Sequence, residues 1–362
     1  MMTESRRNTS GDRASLPKKR FWSYLLKYGV PLVISVGLCW LLFRGDGMNP
    51  ARMWEIIRSE CDFKWIAFNL AFGVLAQVFR AARWQIQLRA LDIRPTFLEL
   101  VLSIFGTYSV NLVFPRLGEV WRTGYISSRE KAPFTTVFGS MVADRLADTL
   151  TVFILLLLTL IPAGAQINQY FGQDGGMVAK ITSLFGSPIL WGCVAAAMVF
   201  AVWLFIRYPE NKIIARIRRI WHGLWKGFAV VATMRGKGRW LLYTVLLWGS
   251  YVMALYCAFR SFPLTAELIA RHGLTALAVC FVFTSISMGV PSNGGIGPYQ
   301  WAMIFGIALY SADIPGLTHE YALTFANLVM GVQTLALILQ GLLTFGCIAL
   351  LNHYSKRNEI RR

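Results

Sequence analysis

Three clusters of polar residues interrupt the long apolar runs of this sequence, and the first combines two arginines with a glutamate. Arg116, Glu119 and Arg122 occur at positions i, i+3 and i+6. If this segment is helical, the three side chains share one face within two turns. Two guanidiniums on one face predict a phosphate site in which the glutamate holds one of them in place. The alternative is an amphipathic helix at the level of the lipid headgroups.

The residues next to these charges indicate that the chain reverses here. Pro115 would end the preceding helix, and Gly118 would permit a tight turn. Asn111 adds a polar side chain just before the proline. Asn111 and Gly118 are therefore assigned to the same candidate anion site.

The second cluster consists of Asp144, Arg145 and Asp148 within another apolar run. A charge inside a membrane helix is costly unless it is paired, so it normally faces the interior of the helix bundle. Two acids and one arginine leave one net negative charge, for which Arg116 or Arg122 is the natural partner. The cluster is predicted to tune or gate those arginines. The alternative is a structural contact that is neutralised within itself.

The third cluster is a glycine-rich turn, residues 291–298, between two apolar segments. Its glycines and prolines cannot continue a helix. Such a turn can direct backbone N–H groups at an anion, but it lacks the residues of a P-loop. An ordinary loop is the alternative. The candidate anion-binding residues here are Pro291, Asn293, Gly294, Gly295, Gly297 and Gln300.

Neither nucleophiles nor metal ligands accompany these clusters in the sequence. The six cysteines form no CxxC pair, and the four histidines are scattered without metal-ligand spacing. No Ser-His-Asp or Cys-His arrangement is evident. We therefore expect no catalytic residue, no metal site and no cofactor.

The composition places the clusters in a membrane. Hydrophobic residues make up 56% of the chain and charged residues 15%, whereas a soluble domain carries about a quarter charged residues. Apolar runs of about 20 residues are long enough to cross a bilayer as helices. The candidate spans are 27–43, 63–82, 97–114, 136–161, 189–206, 240–258, 274–290 and 321–351.

The net charge of +18 follows the positive-inside rule, because the basic residues lie in short segments between the spans. A nucleic-acid partner is therefore not expected. Both termini should be cytoplasmic, and the first helix should remain uncleaved. The segments expected to be cytoplasmic are 1–27, 80–96 (with Arg80, Arg83, Arg89 and Arg94), 207–239 and 352–362. The segments expected outside are 44–62, 162–188 and 311–320.

If the loops lie on the sides of the membrane given above, two apolar segments must enter and leave the membrane on the same side. Segment 97–114 should enter from the cytoplasm and return through 116–133, and 274–290 should enter from outside and return through 299–310. Each is then a re-entrant hairpin, and Gly118 and Gly294 should meet near the membrane midplane.

The sequence thus predicts an all-α polytopic membrane protein with about six full transmembrane helices and two re-entrant hairpins. Residues 63–161 and 240–351 would form an inverted repeat, which is typical of transporters, within one membrane domain at 28–351. Eight full transmembrane helices are the alternative.

At the three clusters the chain resembles the lysylphosphatidylglycerol synthase transmembrane-region family, over roughly residues 25–350. The family motifs resemble Pro-x-Arg-x-Gly-Glu-x-x-Arg, an acidic-Arg-x-x-Asp segment and a Pro-rich Gly-Gly-x-Gly turn followed by an acid. The matching residues are Pro115, Arg116, Gly118, Glu119, Arg122, Asp144, Arg145, Asp148, Pro291, Gly294, Gly295 and Gly297. One residue fewer separates the proline and arginine of the first motif. Pro298 is unusual, and Gln300 stands where an acid is expected, which argues against a proton- or cation-linked role there.

The resemblance implies a flippase of the bacterial inner membrane that moves an anionic phospholipid or a polyprenyl-phosphate-linked lipid between leaflets. Aminoacyl transfer is not implied, because it belongs to a separate soluble domain for which we expect no room here. Membrane lipids are the expected partners, and homo-oligomerisation stays open. One alternative is a membrane-embedded transferase acting on a lipid phosphate, with Glu119 or Asp144 as base. Another is a structural partner of a membrane complex.

Overall fold

A computed structural model describes residues 50–171, 225, 229 and 234–360. The expected spans 27–43 and 189–206 and most of the basic segment 207–239 lie outside the described residues. The α-helices are α1 Pro50–Glu60, α2 Phe63–Arg89, α3 Phe97–Val113, α4 Leu117–Arg129, α5 Phe134–Phe171, α6 Lys237–Arg260, α7 Pro263–Ser287, α8 Pro298–Ala308 and α9 His319–Ile360.

Local capping signals set where several of these helices begin. α2 starts after Asp62, whose Oδ1 accepts a hydrogen bond from the backbone N of Lys64 at 3.0 Å. α3 starts with a capping box in which Thr96 Oγ1 accepts from Glu99 N at 3.3 Å and the Glu99 carboxylate accepts from Thr96 N at 3.1 Å. α8 starts at Pro298, which lacks the N–H that a first helical turn leaves unbonded.

The apolar character of the helices confirms an all-α membrane protein. Within the described residues, four helical segments are long and apolar enough to cross a bilayer: Phe63–Arg89, Lys237–Arg260, Pro263–Ser287 and His319–Leu351. Large apolar side chains are exposed on their outer faces and on α5, as expected of helices that contact lipid. Examples are Leu150, Val245 and Leu342.

One predicted loop is wrong in a way that matters for the site. α2 continues to Arg89, so Arg80 and Arg83 are buried helical residues and not part of a basic cytoplasmic loop. A membrane span that is predicted from hydropathy ends at the first charged residues of the helix. A helix can continue past that point wherever its charges meet partners of opposite sign.

Other predicted loops are also shorter than expected. Helix occupies 162–171 at the start of one predicted outer loop, 50–60 within another, and 352–360 of the predicted C-terminal tail. In each case polar residues continue or form a helix beyond the apolar run that the sequence pattern detects.

α7 is less regular than its length suggests. Gly273 has φ 61° and ψ −148°, which divides the helix into two pieces, residues 263–272 and 274–287. Only glycine adopts such angles readily. The second piece begins at the residue where the sequence predicts a limb of the second hairpin.

The described helices from α2 onward divide into two halves with the same element order, α2–α5 and α6–α9, and each half packs against helices of the other. We call α3–α4 the first hairpin and α7–α8 the second hairpin. α2 packs along α6, where the Asn69 side-chain amide donates to Ala254 O at 2.7 Å. α3 of the first hairpin packs on α9, whereas α7 of the second hairpin packs on α5. Each hairpin therefore rests on the last helix of the other half.

The tips of the two hairpins touch. The backbone O of Asn111 accepts a hydrogen bond from Gly294 N at 3.2 Å, and its side-chain Oδ1 accepts from Gly118 N at 2.8 Å. Arg116 reaches across the contact and donates from Nη2 to Gly289 O at 2.7 Å. Asn111 thus bonds to both glycines that the sequence predicts to lie near each other.

Gly118 serves a different purpose from the one expected. It lies inside α4, and the turn before that helix is made by Arg116, which has a positive φ of 64°. A Cβ on Gly118 would lie 2.1 Å from Thr107 O and 2.8 Å from Asn111 Oδ1. Glycine is needed here because α3 and α4 approach each other closely.

We expect Gly118→Ala to destabilise the protein, because the new methyl group would meet backbone and force the two limbs apart. Overpacking of this kind costs about 1–3 kcal/mol. Gly124→Ala, in the same helix, is the matched control, since nothing lies within 4 Å of its Cβ position. Thermal unfolding of the two purified variants should show a lower midpoint for Gly118→Ala. Equal midpoints would contradict the close approach.

Candidate anion-binding site

A group of charged side chains from α2, α4 and α5 meets inside the helix bundle. We call it the charge cluster, and its members are Arg80, Arg83, Glu119, Arg122, Asp144, Arg145 and Asp148. Most of these side chains are buried, so their charges need partners inside the protein.

The centre of the charge cluster is a pair of acids facing a pair of arginines. Asp144 and Asp148 are four residues apart on α5 and so lie on one face. Arg83 Nη2 lies 2.7 Å from an Asp144 oxygen and 2.8 Å from an Asp148 oxygen. Arg80 donates to Asp148 and lies 3.6 Å from Asp144 Oδ2. These four groups form a neutral and closely paired unit.

The expected partners of these acids were Arg116 or Arg122. Arg122 does lie 3.8 Å from an Asp144 oxygen, but Arg80 and Arg83 on α2, which the sequence placed in a loop, bind the two acids most closely. A signal for this was present, because Gln77, Arg80 and Gln87 recur at i, i+3 and i+10 and are all buried. That spacing places polar side chains on one helical face and could have extended the predicted helix past residue 82.

Arg145 and Glu119 form a second pair at the edge of the cluster. Arg145 Nη2 donates to Glu119 Oε1 at 3.0 Å, and Asn111 Nδ2 donates to Glu119 Oε2 at 3.2 Å. Glu119 therefore holds Arg145, and the expectation that it would hold Arg116 or Arg122 is wrong. The Arg145 side chain is 32% exposed and that of Glu119 is 14% exposed, so this pair borders the accessible side of the cluster.

Arg122 differs from the other arginines of the cluster because it is buried without hydrogen bonds. None of its three guanidinium nitrogens finds a hydrogen-bond partner among the described residues. Its guanidinium carbon lies 4.5 Å from the centre of the Trp84 ring, and an Asp144 oxygen lies 3.8 Å from Nη2. A guanidinium carries five N–H donors, and leaving buried donors unbonded is unfavourable. Arg122 thus offers donors that an incoming anion could use.

The charges of the cluster do not cancel. Within the described residues it holds the four arginines Arg80, Arg83, Arg122 and Arg145 against the three acids Glu119, Asp144 and Asp148. The surplus is one positive charge. Because the other three arginines each have a close carboxylate partner, the surplus belongs to Arg122.

Arg116 is not part of this site. Its left-handed backbone at the turn before α4 removes it from the helical face that it was expected to share with Glu119 and Arg122. The side chain is exposed and donates to Met288 O at 3.3 Å and to Gly289 O at 2.7 Å. These carbonyls lie at the C-terminal end of α7, where a cation is favourable. Arg116 therefore links the two hairpins.

The glycine-rich turn is placed against the first hairpin. Gly294, Gly295 and Gly297 have φ values of 64°, 89° and 94°, which explains the choice of glycine. Two backbone N–H groups that were expected to face an anion donate within the protein instead: Gly294 N to Asn111 O, and Gly297 N to the Gln300 side chain at 2.8 Å.

The remaining candidates of this turn have mixed surroundings. Gln300 is buried and donates to Asn327 Oδ1 at 3.4 Å, so it serves to hold α8 and α9 together. Pro291 is exposed, and the backbone O of Asn293 accepts from Ile296 N at 3.2 Å. Anion binding by these residues stays a prediction.

Two relatives each match more than half of the chain. A UPF0104 membrane protein of Methanocaldococcus jannaschii is 22% identical over 236 residues, which are 58% of this chain and 69% of that protein. Glycosyltransferase AglD of Haloferax volcanii is 23% identical over 322 residues, which are 81% of this chain and 50% of that protein. The chain thus spans about half the length of the glycosyltransferase. No solved structure matches the chain.

The family comparison covers most of the chain. The family described as the lysylphosphatidylglycerol synthase TM region matches residues 30–341. This range contains both hairpins and every member of the charge cluster. The family expected from the three motifs is therefore confirmed, and the chain belongs to the lysylphosphatidylglycerol synthase TM region family.

Proposed function

We propose that this protein moves an anionic phospholipid or a polyprenyl-phosphate-linked lipid between the leaflets of a bacterial inner membrane. The observation that carries the proposal is Arg122, a fully buried guanidinium that forms no hydrogen bond within the part of the chain that the structure describes and that holds the surplus charge of its cluster. A phosphate that enters the bundle loses its hydration and needs a partner of opposite charge. A guanidinium suits it well, because it can donate two parallel hydrogen bonds.

The accessible edge of the cluster supplies the second element of the proposal. Arg145 is partly exposed and is held by Glu119, so an approaching headgroup would meet Arg145 before it reaches Arg122. The acyl chains would stay in the lipid beside the exposed apolar faces of the helices. In this way the protein would shield only the headgroup during its passage.

The lengths of the helices support a membrane placement with two re-entrant hairpins. α2 and α6 contain 27 and 24 residues, which corresponds to about 40 Å and 36 Å and exceeds a hydrocarbon core of about 30 Å. α3, α4 and α8 contain 17, 13 and 11 residues, or about 26 Å, 20 Å and 17 Å. α7 as a whole is long enough to cross the membrane, but its break at Gly273 leaves a short limb at residues 274–287. Limbs this short suit hairpins that turn back inside the membrane, and the packing of each hairpin on the other half suits an inverted repeat.

The proposed topology predicts opposite sides for two exposed positions. The side chain of Arg94, after α2, is 77% exposed, and that of Asp313, before α9, is 70% exposed. Arg94 lies in a segment expected inside, and Asp313 lies in one expected outside. Single cysteines at these positions, in a chain without its six native cysteines, should react with an impermeant thiol reagent from opposite sides. Labelling from the same side would contradict the inverted repeat.

Reconstitution tests the proposed activity directly. The purified chain would be placed in liposomes with a headgroup-labelled phosphatidylglycerol or, separately, a labelled phosphatidylcholine. An impermeant quencher then reports how fast the label reaches the outer leaflet. We expect faster movement of the anionic lipid than in protein-free liposomes. Rates equal to those of empty liposomes for every lipid would overturn the proposal.

A membrane-embedded transferase is the second candidate, and the similarity to a glycosyltransferase favours it. Asp144 is an unsuitable base, because it is fully buried and lies within 4 Å of three arginines. Glu119 at the accessible edge is the better candidate. Incubation of the purified chain with a labelled lipid phosphate and a nucleotide sugar distinguishes the two functions. A new lipid product would support the transferase.

A further inference from the structure

We propose that Glu119 makes the anion site selective for a phosphate with a single negative charge, so that a phosphodiester lipid binds better than a phosphomonoester lipid. This inference rests on the proposed function and goes further by naming the substrate class and the residue that sets it. The argument depends on how the charges of the cluster are distributed.

Each acid of the cluster cancels a particular part of the positive charge. Asp144 and Asp148 neutralise Arg80 and Arg83, which bind both of them. Glu119 neutralises Arg145 at 3.0 Å. Within the described residues, Arg122 has no carboxylate at hydrogen-bond distance, and its nearest acid, Asp144 at 3.8 Å, is already bound by Arg83, so the net surplus of one positive charge lies at Arg122.

The number of charges matters because the site is shielded from water. Electrostatic energies are larger in a medium of low dielectric constant, and an unpaired charge there is unfavourable whether it is positive or negative. A phosphodiester carries one negative charge and would make the occupied site neutral. A phosphomonoester carries about 1.5–2 negative charges at neutral pH, and it would leave negative charge uncompensated beside Asp144.

Glu119 is the acid that can adjust this balance without dismantling the cluster. Asp144 and Asp148 each lie within 4 Å of three arginines and share Arg80 and Arg83, so the loss of either would leave buried arginines with fewer partners. Glu119 binds Arg145 and Asn111 at the edge of the site. Glu119→Gln keeps an oxygen that can accept from Asn111, but it raises the surplus from one positive charge to two.

The test compares two lipids that differ by one methyl ester group, which removes the second negative charge of the phosphate. Binding of short-chain phosphatidylmethanol, a phosphodiester, and phosphatidic acid of the same chain length, a phosphomonoester, would be measured with the purified full chain at pH 8. We expect the wild type to bind phosphatidylmethanol at least about tenfold more tightly. In Glu119→Gln the preference should disappear or reverse.

The matched control is Glu99→Gln. Glu99 also pairs with an arginine of α4, Arg129 at 3.4 Å, and its side chain is 17% exposed against 14% for Glu119, but it lies outside the charge cluster. This variant should keep the wild-type preference. The double variant Glu119→Gln with Arg145→Gln restores a surplus of one and should also keep it, which guards against a loss of folding in the single variant.

The outcomes separate this inference from the proposed function. Equal binding of both lipids by the wild type, or a preference for phosphatidic acid, would overturn the charge rule and leave lipid binding intact. If a folded Glu119→Gln variant still prefers phosphatidylmethanol over phosphatidic acid, Glu119 does not set the selectivity. If the wild type binds neither lipid, the proposed function itself fails.

Discussion

Replacing Arg122 by methionine is expected to slow lipid movement by at least about a hundredfold, since each 1.4 kcal/mol of lost transition-state stabilisation is about tenfold in rate. Arg122 provides the buried guanidinium that lacks hydrogen bonds in the described part of the chain. A headgroup crossing the interior without it would lose its hydration and gain no partner. The measurement is the rate of outer-leaflet appearance in reconstituted liposomes.

The same variant should keep or exceed the stability of the wild type. Among the described residues Arg122 makes no hydrogen bond that would be lost, and Asp144 keeps Arg83 at 2.7 Å and Arg80 at 3.6 Å. Methionine would retain the apolar stem beside Trp84 and remove an unsatisfied buried charge, which is often neutral or stabilising. If Arg122 serves binding, its replacement should leave the midpoint of thermal unfolding unchanged or raise it. If Arg122 serves the fold, its replacement should lower that midpoint.

Arg116→Met is the matched control for this prediction, because it removes the same group from the same hairpin. Arg116 is exposed and bonds to carbonyls of the second hairpin. Its loss should leave headgroup binding at the cluster unchanged, although it weakens the contact between hairpin tips. Wild-type transport by Arg122→Met would sink the anion-site proposal, as would equal losses of headgroup binding in both variants.

Replacing Asp148 by alanine is expected to have the largest effect on folding, about 3–5 kcal/mol, because it breaks a buried ion pair on one side only. Arg80 would lose the carboxylate that it donates to, and Arg83 would lose one of its two. Arg145 is affected less, since it keeps Glu119 at 3.0 Å.

A second substitution should restore part of that loss. In Asp148→Ala with Arg80→Met the unpaired charge is gone, and apolar replacements of buried ion pairs are often tolerated. Yield of monodisperse protein and the midpoint of thermal unfolding report both variants. If the double variant is no more stable than Asp148→Ala alone, the Arg80–Asp148 pair is not what Asp148 contributes.

The sequence predicted the all-α membrane architecture and the positions of most helices, because local signals determine them. Prolines and glycines mark both turns, and apolar runs mark the spans. The partners within the charge cluster depend on contacts between distant segments. Arg83 and Asp144 are 61 residues apart, and Arg80 and Asp148 are 68 apart, so no local pattern pairs them. The buried spacing on α2 would have shown only that the helix continues.

The pattern of residue types also could not predict what individual residues of the first hairpin do. The spacing of Arg116, Glu119 and Arg122 predicted one shared face, but the helix starts one residue after Arg116. The left-handed turn that separates them depends on how the two hairpin tips meet. Likewise Gly118 was predicted to permit a tight turn, whereas the packing of α3 on α4 shows that glycine is needed there for the close approach of the two helices.

Because each hairpin packs on a helix of the other half, the first hairpin cannot form all its contacts until later parts of the chain have been synthesised. Ser109 in the first hairpin donates to Leu337 O at 2.8 Å, and these residues are 228 positions apart. At synthesis rates of about 5–20 residues per second, the ribosome needs roughly 10–45 s to supply that partner. Asn111 likewise waits for Gly294. During translation the first hairpin therefore resides in the membrane with its tip and one flank uncovered, until the last helix emerges and closes the fold.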